Sequence, residues 1–210
     1  MSRGSAVELL VLHAVRLKGM AENEAVAGRF GVERDQAAEL LLDYQAFGWI
    51  SWSEFAGTGG WSMTTAGRAE NERRLAAELG EIAGDREAVR DAYENFLPLN
   101  TRLQQACTDW QLRPTPADAL AFNDHSDPAW DKLVLDELRA LDRELESVVD
   151  RLAAVLDRFR GYDTRFNGAL GRAIAGEVGW VDGTNVDSCH TVWFELHEDL
   201  IATLGLQRGE

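Results

Sequence analysis

The sequence predicts a mainly α fold built from an N-terminal and a C-terminal portion. Apolar residues recur at helical spacing along most of the chain, and this period is broken near residues 49–64, where a short alternating run surrounds a glycine cluster. The 210 residues suit one large domain or two small ones and suffice for a buried core. Residues 1–83 are expected to form three short helices, a β-hairpin and an exit helix, and residues 84–210 a helical bundle.

The first helix is read from Ala6 to Leu17. Val7, Leu10, Val11, Ala14 and Val15 share one face, and Lys18-Gly19 supplies a cation and then a glycine at its end. A second helix runs from about Asn23, the expected N-cap, to Phe30 and stops at Gly31. A third starts near Arg34 and carries Ala37, Leu41 and Tyr44 on to Phe47-Gly48. The period then changes: Trp49-Ile50-Ser51-Trp52 and Trp61-Ser62-Met63-Thr64 read as strands joined through the turn cluster Gly57-Thr58-Gly59-Gly60. Thr64 or Thr65 caps an exit helix through Arg68, Leu75, Leu79 and Ile82, broken by Gly84.

These elements together describe a winged helix-turn-helix. The stretches Phe30-Gly31-Val32, Phe47-Gly48-Trp49-Ile50 and Met63-Thr64-Thr65-Ala66-Gly67-Arg68 resemble MarR-like winged-helix transcriptional regulators. In that family the second strand commonly runs into a leucine-threonine-x-x-glycine-arginine turn, and Met63, Thr64, Gly67 and Arg68 stand at those positions. The resemblance covers about the first 80 residues. It implies a DNA reader with its third helix in the major groove and its wing toward the minor groove or backbone.

Charge bears on that implication. Twenty-one Lys and Arg stand against 36 Asp and Glu, a net charge of −15. This balance argues against a nucleic-acid coat protein or chromatin binder and against anionic membrane surfaces. Residues 1–80 hold eight of the cations and eleven of the acids, so most of the excess lies further along the chain. Locally, the third helix offers Arg34 alone against Glu33, Asp35, Glu39 and Asp43, and the hairpin carries Glu54 with no Lys or Arg. The residues placed to touch DNA are Arg29, Arg34, Gln36 and Arg68, with Arg16 and Lys18 nearby. DNA binding and a winged helix used only for protein contacts both stay open at this point.

In the C-terminal portion, Asp85 can cap a helix bearing Val89, Tyr93, Phe96 and Leu97. Pro98 is expected to kink or interrupt it before Leu99, Leu103, Cys107 and Trp110 continue the face. Arg113-Pro114-Thr115-Pro116 marks a loop. Asp127-Pro128, an N-cap and first-turn pair, launches a long helix whose apolar stripe runs through Trp130, Leu133, Leu138, Leu141 and Leu145 to Phe159, ended by Gly161. A helix from Thr164 to about Ala175, a glycine-rich loop, and a helix capped by Asp187 or Ser188 and running to Leu204 follow.

Three polar-aromatic clusters lie in this portion: Asp109-Trp110, Asn123-Asp124-His125-Ser126-Asp127, and the run from Asp187 to Leu200. In the last, His190, Trp193 and His197 fall at i, i+3 and i+7 and share a helix face. Imidazoles beside indoles can orient a ligand and exchange protons near neutral pH. Asp109, Trp110, His125, His190, Trp193 and His197 are therefore the candidate ligand-binding residues, against the plainer reading of core histidines bonded to carboxylates. The spacing of His190 and His197 lacks the i, i+4 pairing that converges two imidazoles on one ion, so no metal is assigned, and no cofactor either. Cys107 and Cys189 match no metal or redox spacing and read as buried free thiols. The chain has no nucleotide-binding loop and no nucleophile-elbow sequence.

The segments around Asn123 to Asp127 and Asp187 to Leu200 also resemble an actinobacterial module found both in stand-alone regulators and at the C-terminal end of some pyruvate phosphate dikinase-like proteins. Two functions follow from the two resemblances. In one, a homodimeric MarR-like regulator binds a small organic molecule in its helical domain. In the other, the chain is a substrate-binding or catalytic component of a dikinase-like phosphotransferase and works with a dikinase-like partner protein. There His125 or His190, polarised by Asp124 or Asp187, is the general base on an acceptor hydroxyl, and the winged helix serves protein contacts. No apolar stretch approaches the ~20 residues of a membrane span, and no leader pattern opens the chain, so a cytoplasmic protein without a membrane partner is expected.

Overall fold

The computed structural model describes residues 2–55, 57–81 and 83–206. It is mainly α with one small antiparallel sheet, and it divides into two compact units. The first gathers Met1–Glu87, Val155–Arg158 and Glu198–Glu210, and the second holds Ala88–Ala154 and Phe159–His197. The expected boundary at 83/84 falls close to the first break. It differs in that Val155–Arg158 and Glu198–Glu210, expected within the helical bundle, belong with the N-terminal unit.

The first unit opens with α1 (Val7–Lys18), β1 (Met20–Ala21), α2 (Asn23–Phe30) and α3 (Arg34–Ala46). It continues with β2 (Ile50–Phe55), β3 (Thr58–Met63) and α4 (Thr65–Leu79). Val11, Leu12 and Val15 of α1 meet Val26, Leu41, Tyr44, Ile50 and Trp61 in its core. Gly31 ends α2 in the left-handed region, as a C-terminal glycine should. One cap differs from expectation. Asn23 lies inside α2 because its Oδ1 accepts from Trp61 Nε1 at 2.6 Å, and Glu22 stands at the N-cap without a side-chain cap bond. Ile82, read as the last apolar residue of the exit helix, lies outside the described residues; α4 ends at Leu79.

The sheet has the order β1-β3-β2 with both pairings antiparallel. Gly59 and Gly60 belong to β3 rather than to the hairpin turn, and the reason is space. A Cβ on Gly59 would sit 2.5 Å from the Trp52 ring, and one on Gly60 would meet Met20 at 2.8 Å and the Ala21 backbone at 2.9 Å. One glycine seats an indole and the other admits the two-residue β1, too short to be read from local pattern.

The Met63-to-Arg68 motif acts as a lock on the turn before β2. Thr64 Oγ1 donates to the Gly48 carbonyl at 2.7 Å and accepts from Gly67 N at 3.1 Å, while Thr64 N donates to the Trp49 carbonyl at 2.9 Å. A Cβ on Gly67 would come within 1.9 Å of that same Trp49 carbonyl oxygen.

Charged groups are buried in this unit. Arg158 is 4 % exposed, and His13 and Asp199 are 0 % exposed. Arg158 holds Asp199 through Nη1, donates Nη2 to Thr203 Oγ1 at 2.7 Å, and directs Nε to Glu78 at 3.3 Å. His13 Nε2 lies 3.0 Å from Asp199 Oδ1, and Arg16 donates Nε to Glu198 at 2.9 Å. These bonds fasten residues 155–158 and 198–204 to α1 and α4. Burial alone would raise the Asp199 carboxyl, but Arg158 and His13 beside it hold it below the usual carboxylate range. Burial pushes His13 down despite the pull of Asp199.

The remaining helices are α5 (Asp85–Gln111), α6 (Pro128–Val155), α7 (Tyr162–Ile174), α8 (Gly179–Asp182) and α9 (Cys189–Leu204), with a 3-10 turn at Asp157–Phe159. Pro98 does not interrupt α5. Pro98 and Glu94, one turn before it, are both exposed, so the carbonyl left without its N–H partner lies on the solvent side. Asp127 caps α6 as expected, accepting from Ala129 N at 3.0 Å. The α6 stripe shifts by one at its start: Leu133 is 67 % exposed and Val134 is buried. α6 ends at Val155 instead of reaching Gly161, which serves as the N-cap of α7. At the centre of the second unit Trp193 stacks on Phe96 at 5.0 Å and meets Phe166 at 5.5 Å between ring centroids. Among the described residues no helix is long and apolar enough to cross a membrane.

Gly67→Ala is expected to destabilise the chain by about 3 kcal/mol in urea unfolding, since backbone must move to admit the methyl group. Gly28→Ala, in open space inside α2, is expected to stabilise by about 0.5–1 kcal/mol. The buried pair predicts the pH dependence. His13 and Asp199 both favour their deprotonated forms in the folded state, so the unfolded chain binds more protons and stability rises with pH. The His13 contribution is complete above its ordinary 6.5 and is lost as pH falls below that value. The Asp199 contribution is lost only below the carboxylate range. The urea midpoint is therefore expected to fall as pH drops below about 6.5 and to fall again in stronger acid, and His13→Gln should flatten the first drop.

Candidate functional site

His125 is the one non-glycine residue with positive φ, 57°, among the described residues. That conformation costs a residue with a Cβ about 1–2 kcal/mol and persists where the surroundings over-determine it. Here a chain reversal does so. After α5 the backbone folds back on itself through the Leu112–Phe122 bridge, with Arg113 N donating to Ala121 O and Asn123 N to Gln111 O, both at 2.8 Å. The reversal sets the His125 ring against Trp110, with centroids 4.5 Å apart.

Asn123 is the clamp of this turn. Its Nδ2 donates to the Trp110 carbonyl at 3.0 Å and to Asp131 Oδ1 at 2.9 Å, and its Oδ1 accepts from His125 N at 3.2 Å. His125 Nδ1 lies 3.0 and 3.1 Å from the two oxygens of Asp131. Both Asn123 amide hydrogens are thus engaged and Asp131 is an acceptor, so Nδ1 carries the imidazole proton. Nε2 has no hydrogen-bond partner among the described residues, and the ring is 26 % exposed. This is a histidine oriented by a carboxylate, with Nε2 as the basic atom and Asp131 placed to stabilise the imidazolium.

The carboxylate that orients His125 is Asp131 and not Asp124. Asp124 instead accepts from the Ser126 hydroxyl at 2.6 Å and the Ser126 N–H at 3.1 Å, which hold its carboxyl below the usual range. Asp131 does not stand out in the sequence, where it is one more acid on the first turn of a charged helix; the left-handed backbone at His125 brings the two together. Asp109 supports the turn from behind, its carbonyl accepting from Trp130 Nε1 at 2.6 Å while its carboxylate takes Gln105 at 2.8 Å.

The α9 candidates have other surroundings. Trp193 is buried, donating Nε1 to Asn100 Oδ1 at 3.1 Å. The His197 ring faces Phe96 and Tyr93 at 5.4 and 6.1 Å, and His190 lies 6.4 Å from Phe194. Asp187 accepts two bonds from Arg165, at 2.7 and 2.5 Å, rather than polarising His190. A buried partner without a sequence signal, Glu195, lies 2.8 Å from the same guanidinium. Cys107 and Cys189 are free and buried, and burial pushes the Cys107 thiol up to about 12. Among the described residues, no group of three or more His, Cys, Asp or Glu side chains is arranged to hold a metal ion.

The residues expected to touch DNA are largely engaged elsewhere in the first unit. Arg34 pairs with Glu24, and Arg68 reaches Glu198 at 3.4 Å. Arg29 lies over Phe30 at 4.4 Å and its charge acts on buried Asp199. Gln36 is exposed, its N–H donating to the Glu33 cap at 3.0 Å. The exposed surface of α3 carries Asp35, Glu39, Leu42 and Asp43. Compared with protein-family models, curated proteins and solved structures, the chain matches none.

Replacing His125 tests the turn. Because of the left-handed backbone, His125→Ala is expected to be less stable than His125→Gly by about 1 kcal/mol, the reverse of the usual order. In the unaltered chain above neutral pH, nitrogen NMR of the imidazole is expected to show the proton on Nδ1, and Asp131→Asn should shift the population toward Nε2–H.

Proposed function

We propose that the first unit is a winged helix-turn-helix working through protein contact, and that the second unit holds a small organic molecule at the His125 turn. The order of α1 to α4 with its hairpin, and the lock built from Thr64 and Gly67, support the winged-helix assignment. The observation that favours protein over DNA is the charge of α3 and the hairpin. Phosphate contacts require cations free to displace counterions. Arg34 is the single cation of α3, whereas Asp35, Glu39, Asp43 and Glu54 are all exposed. Pairing two copies would double the acids along with the cations.

At the His125 turn, Trp110 supplies an apolar surface and the imidazole a directional polar contact, the combination small-molecule sites use. A second reading takes its support from the His125–Asp131 pair. There Nε2 accepts the proton of a substrate hydroxyl while that oxygen attacks a phosphoryl group carried by a dikinase-like partner; the bond from phosphorus to the partner's carrier atom breaks, and the partner retains that atom with the electron pair. His125→Gln would then abolish transfer and leave substrate binding measurable, whereas in a binding-only site it would weaken affinity alone.

Fluorescence anisotropy with duplexes from the flanking chromosomal DNA, at low salt, tests the choice of protein over DNA. No association is expected below about 10 µM; specific DNA readers typically bind at about 10⁻⁸ M or tighter. A nanomolar affinity that weakens steeply with salt would restore the operator reading.

A further inference from the structure

An open cleft of about 620 Å³ lies in the first unit between the start of α2, the end of α3 and the hairpin, lined by Glu22, Asn23, Glu24, Gln45, Trp52 and Trp61. Its aromatic wall is built rather than incidental. Trp52 and Trp61 are direct cross-strand partners, edge to face at 5.1 Å and 72°. Gly59 leaves the space the Trp52 ring occupies, and Asn23 fixes the Trp61 indole N–H. Trp52 nevertheless stays 43 % exposed. An indole held in place and still open to solvent, beside two carboxylates, suits an organic cation, which gains from the ring's negative face and from the carboxylates together. The Glu22 side chain makes no cap bond. Glu24 already receives one guanidinium, that of Arg34, in a pair whose side chains are both 73 % exposed and therefore weakly held.

The cleft continues along α3. Asp35, Glu39, Leu42 and Gln45 recur at spacings of three and four and form one exposed stripe ending in the cleft. From Asp35 to Gln45 the helix rises about 15 Å, the reach of four or five extended residues. On the hairpin, Glu54 shares the Trp52 face of β2. A free amine would use only the carboxylates of the cleft, whereas an extended chain with spaced cations and an apolar residue would use the whole stripe. We propose that this cleft and stripe bind a basic segment of a partner protein, with a lysine or arginine side chain against Trp52, Glu22 and Glu24, an apolar side chain on Leu42, and further cations at Glu39 and Asp35. This rests on the protein-contact reading and names the chemistry of the partner.

The test uses the full chain and a fluorescein-labelled heptapeptide of alternating arginine and leucine, read by anisotropy, with circular dichroism to verify that each variant folds. Micromolar binding is expected. Trp52→Ala and the double variant Glu22→Gln, Glu24→Gln should each weaken it at least tenfold, Trp52→Phe should retain most of it, and Glu39→Gln should weaken it about threefold. Glu146→Gln, an exposed acid of the second unit, should change nothing. Equal losses for Glu146→Gln and the cleft variants would mean unspecific charge attraction and overturn the proposal, as would no binding at about 100 µM. Spermidine binding as tightly as the peptide, with the same Trp52→Ala loss, would overturn the basic-segment occupant in favour of a free amine. A duplex competitor separates this proposal from the reading beneath it. Displacement of the peptide by DNA at nanomolar concentration defeats the protein-contact reading itself, whereas absence of both peptide and DNA binding defeats only the basic-segment partner.

Discussion

The guanidinium of Arg158 is the group around which the first unit is arranged. It lies out of water with Asp199, Glu78 and Thr203 as partners, and Asp199 in turn faces His13. A buried ion pair adds little net stability compared with well-packed apolar residues, but breaking one by removing a single partner costs about 3–5 kcal/mol. That is a large share of the ~5–15 kcal/mol that holds a typical domain. The pair therefore acts less as glue than as a condition. The 155–158 segment and the end of α9 take their places beside α1 and α4, or charges remain unpaired in the interior.

Outward from this core, α3 and the hairpin present an acidic surface. The arginines of the region are drawn to carboxylates: Arg16 and Arg68 to Glu198, Arg34 to Glu24. The acids along α3 are left facing solvent. Contact with phosphate rests mainly on cations, and along α3 the exposed charge is mostly acidic.

Much of the secondary structure was legible in the sequence because it depends on neighbours a few residues apart. Gly31 ends α2, Thr64 caps α4 and Asp127 caps α6, each through a local bond or a backbone conformation few residues adopt. What escaped depends on residues distant along the chain. Gly59 and Gly60 read as a turn, and only the approach of Trp52 and β1 explains them as strand residues. Pro98 read as a break, although its exposed position lets the helix pass. In the candidate site, His125 and Trp110 stood out by residue type, and the fold brings their rings together. The choice of Asp131 over Asp124 did not stand out, since a single left-handed residue redirects the ring and no local pattern announces it.

The bond between His13 and Asp199 joins residues 186 positions apart. An emerging chain cannot close that bond early. While the ribosome makes the second unit, α1 waits with His13 and Arg16 lacking their partners from α9. Closing so long a loop slows folding more than it weakens the result. The delay also leaves the apolar faces of α1 and α4 open during translation, within reach of a chaperone.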